Sequence, residues 1–120
     1  MSVDYSGLIK ETDTCAGELR KLIPDAFTAF GALSRAAQAP GALDAKTKEL
    51  LALAISVAIR CDACIAYHAR AAVRVGVTRE EASEALGVAI QMGGGPSVNY
   101  GAHALRAYDQ FKAAAPAAAP

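Results

Sequence analysis

The chain has 120 residues, a length typical of one domain, and 53% of them are hydrophobic. Its 12 basic and 12 acidic residues balance, which argues against a basic nucleic-acid interface and a polybasic membrane patch. The N-terminus lacks the pattern of a signal peptide, and the longest apolar run, Leu50 to Ile59, is shorter than the roughly 20 residues of a membrane-spanning helix. We therefore expect a soluble, cytoplasmic protein.

Two helices are predicted in the first third of the chain. Small and apolar residues recur at helical spacing from about residue 4 to residue 22, which predicts the first helix. Pro24 suits the first position of a second helix, and helical composition continues to about Gln38.

The middle of the chain predicts a helical hairpin. Asp44 is a suitable N-cap for a third helix that ends near Arg60. This third helix is apolar on almost all sides, which predicts a central position in the fold. A fourth helix follows over about residues 62 to 75, and Gly76 ends it.

Two more helices are predicted in the last third. Thr78 and Glu81 have the spacing of a capping box that opens the fifth helix, and Pro96 can begin the sixth. Because no segment alternates with the period of a strand, we predict an all-α fold, a compact bundle of about six helices, over residues 1–113. Residues 114–120 are low-complexity, and we expect them to form a disordered tail.

The segment CDACIAYHAR contains the residues with the clearest chemical potential. Cys61 and Cys64 lie at or just inside the start of the fourth helix, where free N–H groups and the helix dipole favour an anion. Such a position stabilises a thiolate and makes the thiol nucleophilic. In a reducing compartment a close cysteine pair is more often catalytic or metal-binding than structural. His68 follows Cys64 by four residues and therefore shares its face of the helix.

Glu49 is the remaining polar residue of interest. In an antiparallel hairpin of the third and fourth helices, Glu49 lies roughly 16 Å below the turn and His68 about 10 Å below it, at a rise of about 1.5 Å per residue. We therefore predict that Glu49 approaches His68 directly or through a water molecule. A carboxylate, an imidazole and two thiols in one apolar pocket would form a proton relay.

The spaced pattern E-x11-C-x2-C-x3-H, formed by Glu49, Cys61, Cys64 and His68, resembles the alkyl hydroperoxidase D-like group of the carboxymuconolactone decarboxylase family. The segment GGGPSVNYGAHALRAYDQF is also similar to that family, and the resemblance covers roughly residues 25 to 112. It implies the helical fold of the family and a peroxidase that reduces hydroperoxides with a dithiol. Carried over by position, Cys64 would be the peroxidatic cysteine and Cys61 the resolving one. Glu49 and His68 would relay the proton.

One position departs from the peroxidase pattern. Peroxidase members of the group have a histidine between the cysteines, whereas this chain has Ala63, which implies a weaker peroxidase or another acceptor for the dithiol. We expect no bound cofactor or metal, and an external reductant of the dihydrolipoyl or thioredoxin-like kind. The resemblance also implies a trimer or hexamer. We expect its subunits to meet through helix faces rich in alanine and glycine, including the sixth helix.

Other interpretations of the cysteine pair remain open. A zinc site would need both cysteines, His68 and a fourth ligand such as Glu49, and the sequence lacks a second pair of typical zinc ligands. A lactone decarboxylase, which the family name allows, does not require a dithiol. A redox sensor or disulfide oxidoreductase would form the disulfide without peroxide turnover, and an inert pair would do neither.

Three features outside the motif have structural interpretations. Cys15 lies on the apolar stripe of the first helix, so we expect it to be buried as a small hydrophobe. His103 shares a stripe with polar residues, which predicts a solvated position. Gly93–Gly95 has no following lysine and no preceding strand, so we expect close backbone packing there rather than a phosphate site.

Overall fold

A computed structural model describes residues 3–116 of the chain, and the regular elements within that range are all α-helices. They are α1 (Tyr5–Leu22), α2 (Pro24–Gln38), α3 (Ala45–Ala58), α4 (Asp62–Arg74), α5 (Arg79–Gly93) and α6 (Gly95–Ala114). The prediction of an all-α fold with six helices is confirmed, and the observed ends differ from the predicted ones by a residue or two. In the described range, none of the helices combines the length and the apolar character needed to cross a membrane.

The predicted tail is only partly described. Helix α6 includes Ala114, so the first residue of that tail is helical. Residues 117–120 lie outside the described range, and the assignment of a disordered segment to them stays a prediction.

The predicted caps are present at two helix starts. The side chain of Asp44 accepts a hydrogen bond from the backbone N–H of Thr47 at 2.8 Å and so begins α3. At the start of α5, the N–H of Glu81 donates to the Thr78 hydroxyl at 3.1 Å, and the N–H of Thr78 donates to the Glu81 carboxylate at 2.8 Å. These contacts satisfy N–H groups that have no partner within the helix, which fixes where each helix begins.

A tight turn joins α3 to α4. The N–H of Arg60 donates to the carbonyl of Val57, and the N–H of Cys61 donates to the carbonyl of Ser56 at 3.0 Å. This is the Schellman pattern, in which the residue after the C-cap is left-handed, and Arg60 accordingly has a φ of 60°. The same two bonds that end α3 therefore hold Cys61 at the first position before α4.

Helices α3, α4, α5 and α6 form the core, with α4 against α6 and α3 against both α4 and α5. The residues of these helices that are buried and hydrophobic are Leu53, Val57, Ile65, Ala66, Ala69, Ala72, Ala82, Leu86, Ala89, Ala104, Ala107 and Tyr108. Seven of these twelve residues are alanines, and small side chains allow helix backbones to approach closely. The Tyr108 hydroxyl donates to the carbonyl of Val77 at 2.6 Å, which satisfies the one polar atom of this buried ring.

The central position predicted for α3 holds for only part of its surface. Leu53 and Val57 are fully buried, but Leu51, Ile55 and Ile59 form a stripe on the same helix that is 48–63% exposed. The helix therefore has one apolar face in the core and another on the surface. Its composition could not distinguish the two faces, because both are aliphatic.

Helix α1 packs on α4 and α6 through its first turns only. Tyr5 and Ile9 are buried, whereas Leu19 is 49% exposed. Cys15 is a free, exposed thiol, so the prediction that it is buried is wrong. Leu19 and Leu22, which continue the same apolar stripe, are also exposed, so this half of the stripe is not covered by the core.

The glycines before α6 confirm the expectation of close packing at one position. A Cβ atom on Gly93 would collide with the side chain of Ser97, which is fully buried. Gly94 has a φ of 73°, a conformation that other residues rarely adopt. These two glycines allow α5 to end and α6 to begin within two residues.

Candidate active site

Cys61 and Cys64 are joined by a disulfide at the start of α4, with their Cα atoms 5.2 Å apart. Cys61 is the N-cap residue, and its sulfur accepts a hydrogen bond from the backbone N–H of Cys64 at 3.1 Å. Both residues are partly buried. The pair is thus placed where the prediction put it, and its geometry permits a bond between the two sulfurs without movement of the backbone.

Glu49 and His68 are in direct contact, as the helix spacing predicted. The Nδ1 atom of His68 lies 2.9 Å from Oε2 of Glu49, which joins α3 to α4. The Glu49 side chain is only 12% exposed and that of His68 is 33% exposed. Glu49 is therefore a largely buried carboxylate rather than a solvated one.

The contact also sets the chemical state of the imidazole. A carboxylate can only accept hydrogen bonds, so Nδ1 of His68 must be the donor. A neutral His68 then has its free lone pair on Nε2, where it can take up or return a proton. His68 lies one helical turn beyond Cys64, so the two residues share one face of α4.

The described part of the chain provides no support for a metal centre. Within residues 3–116, no group of three or more histidine, cysteine, aspartate or glutamate side chains is arranged to hold a metal ion. The two sulfurs are bonded to each other, and Nδ1 of His68 is engaged by Glu49. The arrangement fits proton transfer beside a dithiol better than metal ligation.

A polar contact on α4 connects the site helix to α1. The hydroxyl of Tyr67 donates to the carboxylate of Asp13, and the guanidinium of Arg70 lies 5.6 Å from the centre of the Tyr67 ring. Burial raises the pKa of Tyr67 above its usual range, and the hydrogen bond to Asp13 acts in the same direction. Tyr67 therefore stays protonated and anchors α1 on α4.

A second histidine contacts the residue that follows Cys61, which the sequence did not suggest. Nδ1 of His103, on α6, is 3.3 Å from Oδ1 of Asp62, the residue that directly follows Cys61. The His103 side chain is 45% exposed, in line with the predicted solvated position, and the Tyr100 ring packs against it edge-on. No local pattern relates positions 62 and 103, so only the packing of α6 on α4 reveals the pair.

Comparison with known proteins agrees with the fold and the motif. The profile of the Carboxymuconolactone decarboxylase family matches residues 24–107. The chain belongs to this family. The disulfide-bonded C-x2-C pair is consistent with the alkyl hydroperoxidase D-like group within it.

Related sequences of similar length occur in several bacteria. An uncharacterized protein of Cupriavidus necator is 37% identical over 113 residues, which is 94% of this chain and 100% of that protein. A Haemophilus influenzae protein, also uncharacterized, is 44% identical over the same extent of both chains. These relatives match this chain over nearly its full length, but no activity is known for either of them from its name.

Solved structures support the fold. A carboxymuconolactone decarboxylase family protein from Legionella pneumophila, in its apo form, has a TM-score of 0.86 at 45% identity and covers 90% of this chain and 96% of its own. A family protein from Thermotoga maritima has a TM-score of 0.69 at 36% identity and covers 73% of this chain and 91% of its own. The Thermotoga protein has been suggested to take part in an antioxidative response.

Proposed function

We propose that the protein is a thiol-dependent peroxidase that reduces hydroperoxides with the dithiol of Cys61 and Cys64. The observation that carries the proposal is the position of the hydrogen-bonded Glu49–His68 pair one helical turn from a cysteine pair that can close to a disulfide. A structural disulfide needs no proton relay beside it. The suggested antioxidative role of the Thermotoga relative is consistent with this chemistry.

In the oxidative half of the proposed reaction, the thiolate of Cys64 attacks the O–O bond of the hydroperoxide. The sulfur becomes a sulfenic acid and the alcohol departs, with the proton for its oxygen supplied through His68, which Glu49 orients. The thiol of Cys61 then condenses with the sulfenic acid. This step forms the disulfide and releases water.

In the reductive half, an external dithiol reopens the disulfide by exchange. A dihydrolipoyl group or a thioredoxin-like protein, acting in a reducing compartment such as the cytoplasm, attacks the sulfur of Cys64 and releases Cys61 as a thiolate. The N–H of Cys64, 3.1 Å from the Cys61 sulfur, stabilises that leaving group. The second thiol of the reductant then displaces Cys64 and leaves with its own disulfide.

A second candidate function is that of a disulfide oxidoreductase or redox sensor without peroxide turnover. Ala63 favours it, because no imidazole stands between the cysteines to assist attack on a peroxide. In that case the same exchange steps operate with a disulfide as the oxidant. A lactone decarboxylase is disfavoured, since its chemistry has no use for two thiols that close on each other.

We also propose that the protein acts as a homo-oligomer, a trimer or hexamer. Several large apolar side chains are exposed on α2 and at the adjoining end of α1, including Phe30 at 68% and Leu22 at 78%, and they would be covered by a second copy. On α6, by contrast, the small residues Gly101, Ala104 and Ala107 are buried within the chain. Their burial makes α2 and α3 better candidates for contacts between subunits.

The proposal is tested by a thiol count on the reduced Cys15→Ser protein, which has no thiol other than the pair. One equivalent of hydroperoxide should remove both thiols and leave a disulfide. Loss of thiols with an oxidised dithiol reagent but not with hydroperoxide would support the oxidoreductase instead. No loss with either oxidant would overturn both functions.

A further inference from the structure

Asp62 and His103 form a second ionisable pair, and one of its members directly follows Cys61 in the chain. Asp62 is the first residue of α4, next to Cys61 in the chain, and its carboxylate accepts a hydrogen bond from Nδ1 of His103 at 3.3 Å. The two side chains are 49% and 45% exposed, respectively. The contact links the turn that contains both cysteines to α6, and the proposed reaction makes no use of it.

We propose that His103 is a positioning residue that sets the balance between dithiol and disulfide through its contact with Asp62. The Nδ1–H of the imidazole holds the carboxylate toward α6 and, through this hydrogen bond, weakens the effect of its negative charge at the start of α4. This inference rests on the proposed dithiol chemistry, since it assigns His103 a role in the redox state of that same pair.

The physical reason is a competition between two anions at one helix start. The N-terminus of α4 favours negative charge, so it stabilises both the Asp62 carboxylate and a thiolate of the reduced pair. Two like charges on adjacent residues repel each other, so a carboxylate without a partner would disfavour the thiolate. A hydrogen bond from His103 reduces this repulsion.

The effect acts on one redox state only. The reduced pair can carry a thiolate, whereas the disulfide carries no charge. An Asp62–His103 contact that makes a thiolate less costly therefore stabilises the reduced protein and leaves the oxidised protein unchanged. Since contacts between half-exposed charges are screened by solvent, we expect a shift of about two- to fivefold in the equilibrium constant.

Neighbouring groups supply a matched control. Arg106 lies one turn beyond His103 on α6, and Arg106, His103 and Tyr5 line the same shallow cavity. Among the described residues, Arg106 makes no hydrogen bond to Asp62. Its removal takes away one positive charge from this region without breaking the pair.

The experiment measures one exchange equilibrium. On one side are the protein disulfide and two molecules of reduced glutathione, and on the other are the protein dithiol and glutathione disulfide. The Cys15→Ser protein is the reference. His103→Ala should favour the disulfide by about two- to fivefold, and Asp62→Asn should favour the dithiol. In the Asp62→Asn background, His103→Ala should have no further effect. With Asp62 present, His103→Lys, which keeps a hydrogen-bond donor, should stay near the reference.

Several results would overturn the inference. The first is an unchanged equilibrium in His103→Ala. The second is a shift caused by His103→Ala that is equal with and without the Asp62 carboxylate. The third is a shift in Arg106→Gln as large as that in His103→Ala. If His103→Ala does not fold, the direction of the Asp62→Asn shift carries the same test. Because the assay contains no peroxide, failure of peroxidase activity leaves the inference intact. Thiols that never equilibrate with glutathione overturn the inference about His103 but not the proposed peroxidase, whose reductant is a different dithiol.

Discussion

Helices α2 and α4 are of similar length, 15 and 13 residues, but only α4 has buried residues. Helix α4 packs against α1, α3 and α6 and buries four residues, among them Ile65 and Ala69. Helix α2 buries none, and its Phe30 and Leu33 are 68% and 63% exposed. The difference shows that an amphipathic helix finds a core only where the rest of the chain supplies a partner for its apolar face.

The two helices are also anchored differently. Helix α4 is fixed at its start by the Cys61 cap and along its length by packing. Helix α2 has no side-chain cap at its start. At its end, the ammonium of Lys48 donates to the carbonyls of Ala37 and Ala39, which helps to hold α2 against α3. We propose that α4 contains the chemistry and that α2 presents an outward-facing surface, and the predictions below separate the two roles.

The largest expected effect is on the cysteines of α4. Cys64→Ser should abolish hydroperoxide consumption, while Cys61→Ser should consume one equivalent and stop as a sulfenic acid that a dimedone-type probe traps. Phe30→Ser, in α2, should leave both thiols reactive. A sulfenic acid trapped in Cys64→Ser, but not in Cys61→Ser, would reverse the roles and make the N-capping sulfur the nucleophile.

The next effect concerns the proton relay. His68→Ala should slow the first reaction with hydroperoxide by about 10²–10⁴-fold, because a positioned acid–base group typically contributes that much. Glu49→Gln should cost less, since its amide oxygen can still accept the hydrogen bond from Nδ1. Stopped-flow measurement of thiol loss gives both rates, and a His68→Ala rate equal to that of the unsubstituted protein would remove the relay from the mechanism.

A third prediction concerns assembly through α2. Phe30→Asp combined with Leu33→Asp should lower the mass measured by light scattering at micromolar concentration, because charges would replace the apolar side chains proposed to meet a second copy. Thr28→Asp is the matched control, since it adds a charge at an exposed polar position on the same helix. A monomer mass for the unsubstituted protein would contradict the proposed oligomer directly.

A fourth prediction compares packing in the two helices. Ala69 is fully buried on α4, so Ala69→Leu should lower the free energy of unfolding by about 1–3 kcal/mol through overpacking. Ala36 is exposed on α2, and Ala36→Leu should change it by no more than about 0.5 kcal/mol. Urea unfolding at one fixed protein concentration measures both values. Equal losses would show that α2 is as tightly packed in solution as α4.

The smallest expected effect is on the stability of the fold at acidic pH. It arises at the capping box of α5, and α2 has no side-chain cap of this kind. The Lys46 side chain, followed by the Thr78 backbone N–H, holds the pKa of Glu81 below its ordinary 4.5. A lowered pKa in the folded state means that the contribution to stability is complete above pH 4.5 and is lost as the pH falls further. Thermal unfolding between pH 6 and pH 3 should therefore be less acid-sensitive in Glu81→Gln. An identical pH dependence in both proteins would exclude this contribution.

The sequence by itself determined the features that depend on neighbours within a turn or two. It predicted the six helices, the Asp44 cap and the capping box of Thr78 and Glu81, because caps and helical periodicity act over three or four residues. It also predicted the contact of Glu49 with His68. A short turn between α3 and α4 leaves few ways to align two helices, so spacing alone was sufficient.

Only the tertiary structure decided which faces are covered. Cys15 is exposed, Ile55 lies on the exposed side of a central helix, and Asp62 meets His103 from 41 positions away in the chain. Each of these outcomes depends on how far one helix extends over another and on the angle at which they cross. Hydrophobic burial has no direction of its own, so an apolar stripe in the sequence indicates that a partner is needed but not which partner covers it.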